Sequence, residues 1–541
     1  MRLKILLSTI GLLIFLPFVV TAQSPKLIVG ITIRQMRYDY LSRYFDKFGN
    51  DGFKRLFNNG SYCRDAEYDY LITESSPGYA TIVTGSNPSE HGIIADDWYV
   101  SLSHKSVNCV YDDQYKAVGS SSHTGEVSPK QLIGSTFGDE LRLATFKRSK
   151  VFSVSIDPQA AVIQSGKLGN AAYWFDYQEG KWITCDYYMK TLPQWVTDFN
   201  NKKFPDIYLD RGWYPLKNQS DYVSSLPDNS IYEIGIRGQN TFPYNLKTLS
   251  INQGYSLLKY TPFGNTFTKD FALECISSEQ LGKDNFTDLL LIDFSATGYA
   301  GDIFGIRSVE MEDIFIRLDA DLAHLLNSLD EFIGKDNYIV YLTSDRGAVD
   351  SRVFLEEIGV EGGSIDINSS VVVLNTYLKA LYGNYKWVEK YSDRQIYLNR
   401  NLIEDKKISL DEIQDKTAEF MVQFAGIDNA APAHAFRNMH FTTGMWAKAE
   451  NSYNRKRSGD VLINLAPGWQ EVNDDGSAVS LSASKSGYNQ STHVPLVFYG
   501  AGIKKADIYK KVSITDIPAT LSLFSGICRP EYASGSAVME R

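Results

Sequence analysis

The chain has 541 residues, a formal net charge of −10, 43% hydrophobic residues and 22% charged residues. Such an acidic chain is a poor partner for nucleic acid or anionic membranes, and 13% aromatic residues mark a large packed body rather than a disordered one. Five widely spaced cysteines with no C-x-x-C pair give neither a zinc-ribbon nor a dithiol redox signature.

The basic "MRLK", the apolar "ILLSTIGLLIFLPFVV" broken by Pro17, and the small-residue "VTAQ" predict a signal peptide over residues 1–22. The apolar run falls short of the roughly 20 residues that cross a bilayer. A secreted protein is therefore expected, periplasmic or held at the cell surface, with residues 23–541 as one domain and no membrane span after cleavage. "KLIVGITIRQMRYDYL" then runs from strand to helix with Arg34 at the junction. Residues 160–275, rich in Asn, Pro and Tyr, read as a loop-rich cap insertion. "DLLLIDFSATGYAGD" is a strand ending near Gly298 and Asp302. After it, Ile314, Leu318, Leu322, Leu325 and Leu329 share one helical face, with Gly334 as a stop. "NYIVYLTSDRGA" is a second buried strand, ending at Asp345 and Arg346. Residues 365–485 mix helical runs with short strands and read as a second cap insertion, and "THVPLVFYG" sets His493 just ahead of a last strand. Strand, helix, strand is the parallel crossover unit, so the expected class is α/β: a three-layer sandwich with a mainly parallel sheet between helices. Ligand chemistry in such sheets lies at the strands' carboxyl ends.

"GITIRQMRYDYL", "SSPGYATIVTGSNPSEHGIIADDWY", "AAYWFDYQEGKWITCDYYMKTLPQW", "TSDRGA" and "STHVPLVFYG" resemble the PafA-type, phosphate-irrepressible alkaline phosphatases of the Bacteroidetes, a branch of the alkaline phosphatase superfamily. The resemblance runs from about Lys26 to the C-terminus. It implies a site in which two zinc ions, held by six side chains, bind phosphate against a Thr or Ser nucleophile. Carried over position by position, it puts Ser75 at the nucleophile, with Ser76 as the other register, and retains Asp345 and His493 as ligands. Asp302 stands where a histidine is usual and Gly298 where an aspartate is. Arg34 replaces another ligand aspartate, and Arg346 a ligand histidine. Asp96, Asp157 and Gln159 stand at phosphate-contact positions that usually hold an asparagine, a lysine and an arginine, and Tyr79 stands for a histidine.

A guanidinium about 4 Å from a dication would be repelled by about 8 kcal/mol at an effective dielectric near 20, and arginine does not escape by deprotonating. The expectation from these departures is a pseudophosphatase. In it Arg34 and Arg346 fill the metal's place with Asp345 as their common partner, no cofactor is bound, and the fold serves as a binding or scaffolding component of the envelope, through a protein partner or an anionic ligand. The alternative is a phosphate or sulfate ester hydrolase that keeps one zinc ion on Asp302, Asp345 and His493, with an arginine as anion clamp.

Overall fold

The computed structural model describes residues 24–473, 480–482 and 485–541; the expected signal peptide lies outside the described residues. Ten strands form the main sheet: β1 (Leu27–Ile33), β2 (Ser61–Glu67), β3 (Ala117–Val118), β4 (Val151–Ser155), β5 (Ala171–Asp176), β6 (Lys181–Cys185), β7 (Asp288–Phe294), β8 (Tyr338–Thr343), β9 (His493–Gly500) and β10 (Ala506–Ser513). Their spatial order is β10-β2-β9-β8-β1-β7-β4-β5-β6-β3. Strands β8, β1, β7, β4 and β5 run parallel, with Leu27 opposite both Tyr338 and Asp288, while β9 enters antiparallel beside β8. The expected α/β architecture with a mostly parallel sheet is therefore what forms.

The central strands read as continuous apolar runs because both of their faces are covered. Along β1, Leu27, Val29, Ile31 and Ile33 enter one core, and Ile28 enters the other. This is the period-2 alternation of a strand. Gly30 is required at its place, since a Cβ there would sit 2.4 Å from Tyr341 Cζ and 2.6 Å from Leu291 Cδ2. The helix read from the 314–329 pattern spans Val309–Phe332, and all five of those side chains are buried. Gly334 follows at φ 96° with its N–H on the Leu329 carbonyl, a left-handed stop.

The first insertion differs from the loop-rich segment expected. Residues 171–185 form β5 and β6 of the main sheet, because "AAYWFD" and "KWITC" are strand-forming runs whose flanking polar residues masked them. Residues 365–485 carry their own four-stranded sheet and their own apolar core around Leu374, Trp387, Ile396, Ile413 and Ile463. Among the described residues no helix is long and apolar enough to cross a membrane.

Candidate functional site

Four adjacent parallel strands deliver their carboxyl ends to one place. Strand β8 leads to Asp345 and Arg346, β1 to Arg34, β7 to Gly298, and β4 to Asp157. Ser75 comes from a fifth segment as the first residue of helix α1 (Ser75–Thr84). Helix α1 lies close because of Gly78: a Cβ there would fall 2.0 Å from the Asp345 carbonyl oxygen. Gly78→Ala is therefore expected to lower stability by about 2 kcal/mol or more, read as a lower midpoint in denaturant unfolding. An unchanged midpoint would show that the contact is soft.

Arg34 crosses the site in a fixed posture. Its Nη1 donates to Asp157 Oδ2 at 2.9 Å, and its guanidinium carbon lies 4.3 Å from the Tyr299 ring centroid. The Tyr299 hydroxyl donates to the same Asp157 oxygen at 2.7 Å. Gly298 leaves the space for the arginine stem, since a Cβ there would meet Arg34 Cγ at 2.5 Å. Burial opposes the charge of Arg34, but the surrounding Tyr299, Tyr79, Asp157 and Asp345 oxygens outweigh it and keep the group protonated. Asp157 does two things at once: Oδ1 accepts from the Gln159 N–H at 2.9 Å, capping helix α2 (Pro158–Ser165), and Oδ2 pairs with Arg34. The partner expected for Arg34 was Asp345; the pairing goes to Asp157 instead, which lies at the end of a strand two places from β1.

Asp345 Oδ1 accepts from the Gln35 N–H at 2.7 Å, and its Oδ2 lies 3.9 Å from Arg346 Nε. Burial pushes the Asp345 carboxyl up from its ordinary range, against the opposing pull of Arg346 and Arg34. Ser75 is close enough to favour the charged carboxylate, but its Oγ makes no well-aligned hydrogen bond. Among the described residues, Ser75 Oγ, Asp345 Oδ2, Arg34 Nε and Arg346 Nε are buried without hydrogen-bond partners. Their residues are 3%, 0%, 8% and 6% exposed. One hydroxyl, one carboxylate oxygen and two guanidinium N–H groups thus lie without hydrogen bonds near the start of a ten-residue helix.

Asp96 is not open to a ligand in the expected way. Its Oδ1 accepts from the Ser76 N–H at 2.9 Å and its own N–H donates to Glu74 Oε2 at 2.6 Å, so it pins the start of α1. Glu74 in turn contacts Lys485, which also binds Asp393 of the second insertion. Sequence reasoning missed Glu74, Lys485 and Tyr299. Glu74 and Tyr299 adjoin residues already singled out, but nothing along the chain joins position 485 to position 74.

The residues expected to hold one zinc ion do not converge. Asp302 Oδ1 already accepts from Gln35 Nε2 and from the Ser480 and Ser482 hydroxyls. His493 stacks on Tyr38 with ring centroids 4.2 Å apart, and its Nε2 lies 3.2 Å from the Arg64 carbonyl oxygen. Among the described residues no three His, Cys, Asp or Glu side chains are grouped to hold a metal ion. The donor set does not fit the expected zinc site.

Next to the site, Asp293 on β7 is fully buried, with Ser155 donating to its Oδ2 at 2.9 Å and no hydrogen-bond partner for Oδ1 among the described residues. Burial pushes its carboxyl up to about 7. A folded-state value above the unfolded one gives stability that is present while the acid is protonated and is lost as pH rises through 7. Asp293→Asn should therefore gain stability relative to the parent by an amount that grows from about pH 4 to 7, reaching about 4 kcal/mol, and levels off above. Chemical denaturation at pH 5 and pH 8 checks it; a pH-independent difference would contradict it.

Comparison with known proteins places this geometry. The family described as type I phosphodiesterase / nucleotide pyrophosphatase matches residues 28–493. The alkaline phosphatase PafA of Elizabethkingia meningoseptica is 36% identical over 526 residues, covering 95% of this chain and 94% of its own length. The alkaline phosphatase PhoV of Synechococcus elongatus is 36% identical over 525 residues, covering 96% and 93%. A crystal structure of wild-type alkaline phosphatase PafA superposes with a TM-score of 0.89 at 35% identity, covering 95% of this chain and 98% of that one. These findings overturn the expected pseudophosphatase: PafA and PhoV, which match nearly end to end, are named as alkaline phosphatases. Asp157, which stands where the resemblance puts a lysine, is paired with Arg34 and is not a bare anion facing a ligand.

Proposed function

Since the chain belongs to the type I phosphodiesterase / nucleotide pyrophosphatase family of the alkaline phosphatase superfamily, we propose that it is a hydrolase of phosphate or sulfate esters with an altered anion site, working in the periplasm or at the cell surface. One observation carries the reading: Ser75 Oγ, Asp345 Oδ2 and Arg346 Nε are buried at the start of α1 without hydrogen bonds, Asp345 Oδ2 and Arg346 Nε facing each other at 3.9 Å. An anionic ester is bound by Arg346 and Arg34 Nε, where a guanidinium fork suits tetrahedral oxyanions. Ser75 Oγ attacks the phosphorus or sulfur, its proton passes to Asp345, and Asp345 hands it to the alcohol oxygen as that bond breaks, releasing the alcohol. Water then attacks the Ser75 ester, giving a proton to Asp345, which returns it to Oγ as the bond to Oγ breaks, restoring the hydroxyl and releasing phosphate or sulfate. A carboxyl with a raised pKa suits the proton-accepting role. The location rests on the N-terminal "MRLK" and apolar run. Turnover of p-nitrophenyl phosphate and p-nitrophenyl sulfate by the purified protein tests the proposal, and no release of p-nitrophenol from either ester under any metal supplementation would refute it.

A further inference from the structure

A cavity of about 360 Å³ opens where three segments meet: residues 349–360 beyond β8, residues 465–470 of the second insertion, and residues 486–490 ahead of β9. That volume lies within the range of small-molecule sites. Its walls include Val349, Leu355, Val360, Leu465, Pro467 and Trp469. The indole of Trp469 is a seated wall: a Cβ at Gly363 would fall 2.8 Å from its Cη2, and one at Gly426, where φ is 90°, 2.1 Å from its Cε3. Three of the polar side chains that border the cavity are engaged elsewhere. Asp350 pairs with Arg37 and Arg307, Gln470 bonds the Arg352 N–H and the Asp350 carbonyl, and the Tyr488 hydroxyl donates to Asp428. Glu361, Ser486, Asn489 and Gln490 complete the lining beside the apolar walls.

Its walls hang on the segments that carry the Ser75 site. Thr73, two residues before Ser75, donates its hydroxyl to the Ser486 carbonyl at 3.0 Å, and Ser486 lines the cavity. The Gly347 N–H, next to Arg346, donates to the Ser491 carbonyl at 2.8 Å, and the Val349 N–H donates to the Ser482 carbonyl at 2.9 Å.

We propose that this cavity receives the alcohol portion of the ester and selects an apolar, ring-bearing alcohol, Trp469 supplying a flat face. The inference rests on the hydrolase reading of the Ser75 site. The test is calorimetric titration with phenylphosphonate and methylphosphonate, whose P–C bonds leave no alcohol to release. Phenylphosphonate should bind at least tenfold more tightly than methylphosphonate. Val360→Trp, on the exposed side of the cavity, should erase that ratio and leave methylphosphonate binding unchanged; Ala466→Trp fills the same space from another segment. Equal affinities in the parent, or a ratio that survives both substitutions, would overturn the cavity assignment. Methylphosphonate binding that Arg346→Ala removes reports the anion site by itself, so equal affinities with that binding intact reject the cavity alone. Failure of both phosphonates to bind rejects the hydrolase reading and the cavity with it.

Discussion

Ser75→Ala should lower kcat/KM for p-nitrophenyl phosphate by about a thousandfold or more, because it removes the atom that forms the covalent intermediate. Stability should hardly change: the Ser75 hydroxyl makes no well-aligned hydrogen bond in the folded protein, so its loss leaves no buried partner unsatisfied. That separation makes the result decisive, since a lost rate with an unchanged melting temperature cannot be ascribed to misfolding. Ser76→Ala gives the matching control for the other register. The Ser76 N–H already serves Asp96, and its side chain accepts from Cys109 Sγ at 3.2 Å, so rate should fall far less there. Equal losses at both positions, or none at Ser75, would remove the nucleophile from this account.

The second large effect is expected at Arg346. Its replacement by alanine should cost about 10²- to 10³-fold in kcat/KM, the loss typical of a preorganised group that stabilises developing negative charge. Arg346→Lys should recover little, since a point charge does not reproduce a planar fork. A further readout distinguishes catalysis from packing. Arg346 counters the burial that raises the Asp345 carboxyl, so its removal should move Asp345 still higher and shift the acidic limb of the pH–kcat/KM profile upward. A lower rate with an unshifted limb would mean that Arg346 acts on structure alone. Arg34 should be less forgiving as a folding variant, because its loss leaves Asp157 buried with only Tyr299 and the Gln159 N–H.

The architecture was legible because parallel strands buried on both faces must be apolar throughout, as in "DLLLIDF" and "YIVYLT", and because a helix between them shows its period in Ile314 to Leu329. The positions of Arg34, Asp345 and Arg346 at one sheet edge followed from the same runs. What each side chain does there was not legible. An arginine on β1 can reach carboxylates from several neighbouring strand ends, and only the packing of Tyr299 and the bare face of Gly298 turn Arg34 toward Asp157. The net charge is the same whichever carboxylate Arg34 takes; what the pairing decides is which carboxylate is left facing a ligand, and that has no signature along the chain. His493 misled in a related way. It stands at the start of β9 level with Glu67 of β2, and its ring stacks on Tyr38 rather than joining Asp302 and Asp345. Lys485, which ties Glu74 ahead of α1 to Asp393, joins residues separated by hundreds of positions and leaves no local pattern.

The most direct test of the central claim is to mix the protein with excess p-nitrophenyl phosphate, quench in acid within milliseconds and map phosphorylated peptides by mass spectrometry. A phosphoryl group on Ser75, absent in Ser75→Ala and lost on longer incubation as substrate runs out, is the result predicted. Turnover with no modified serine, or with the phosphoryl group on another residue, would contradict it.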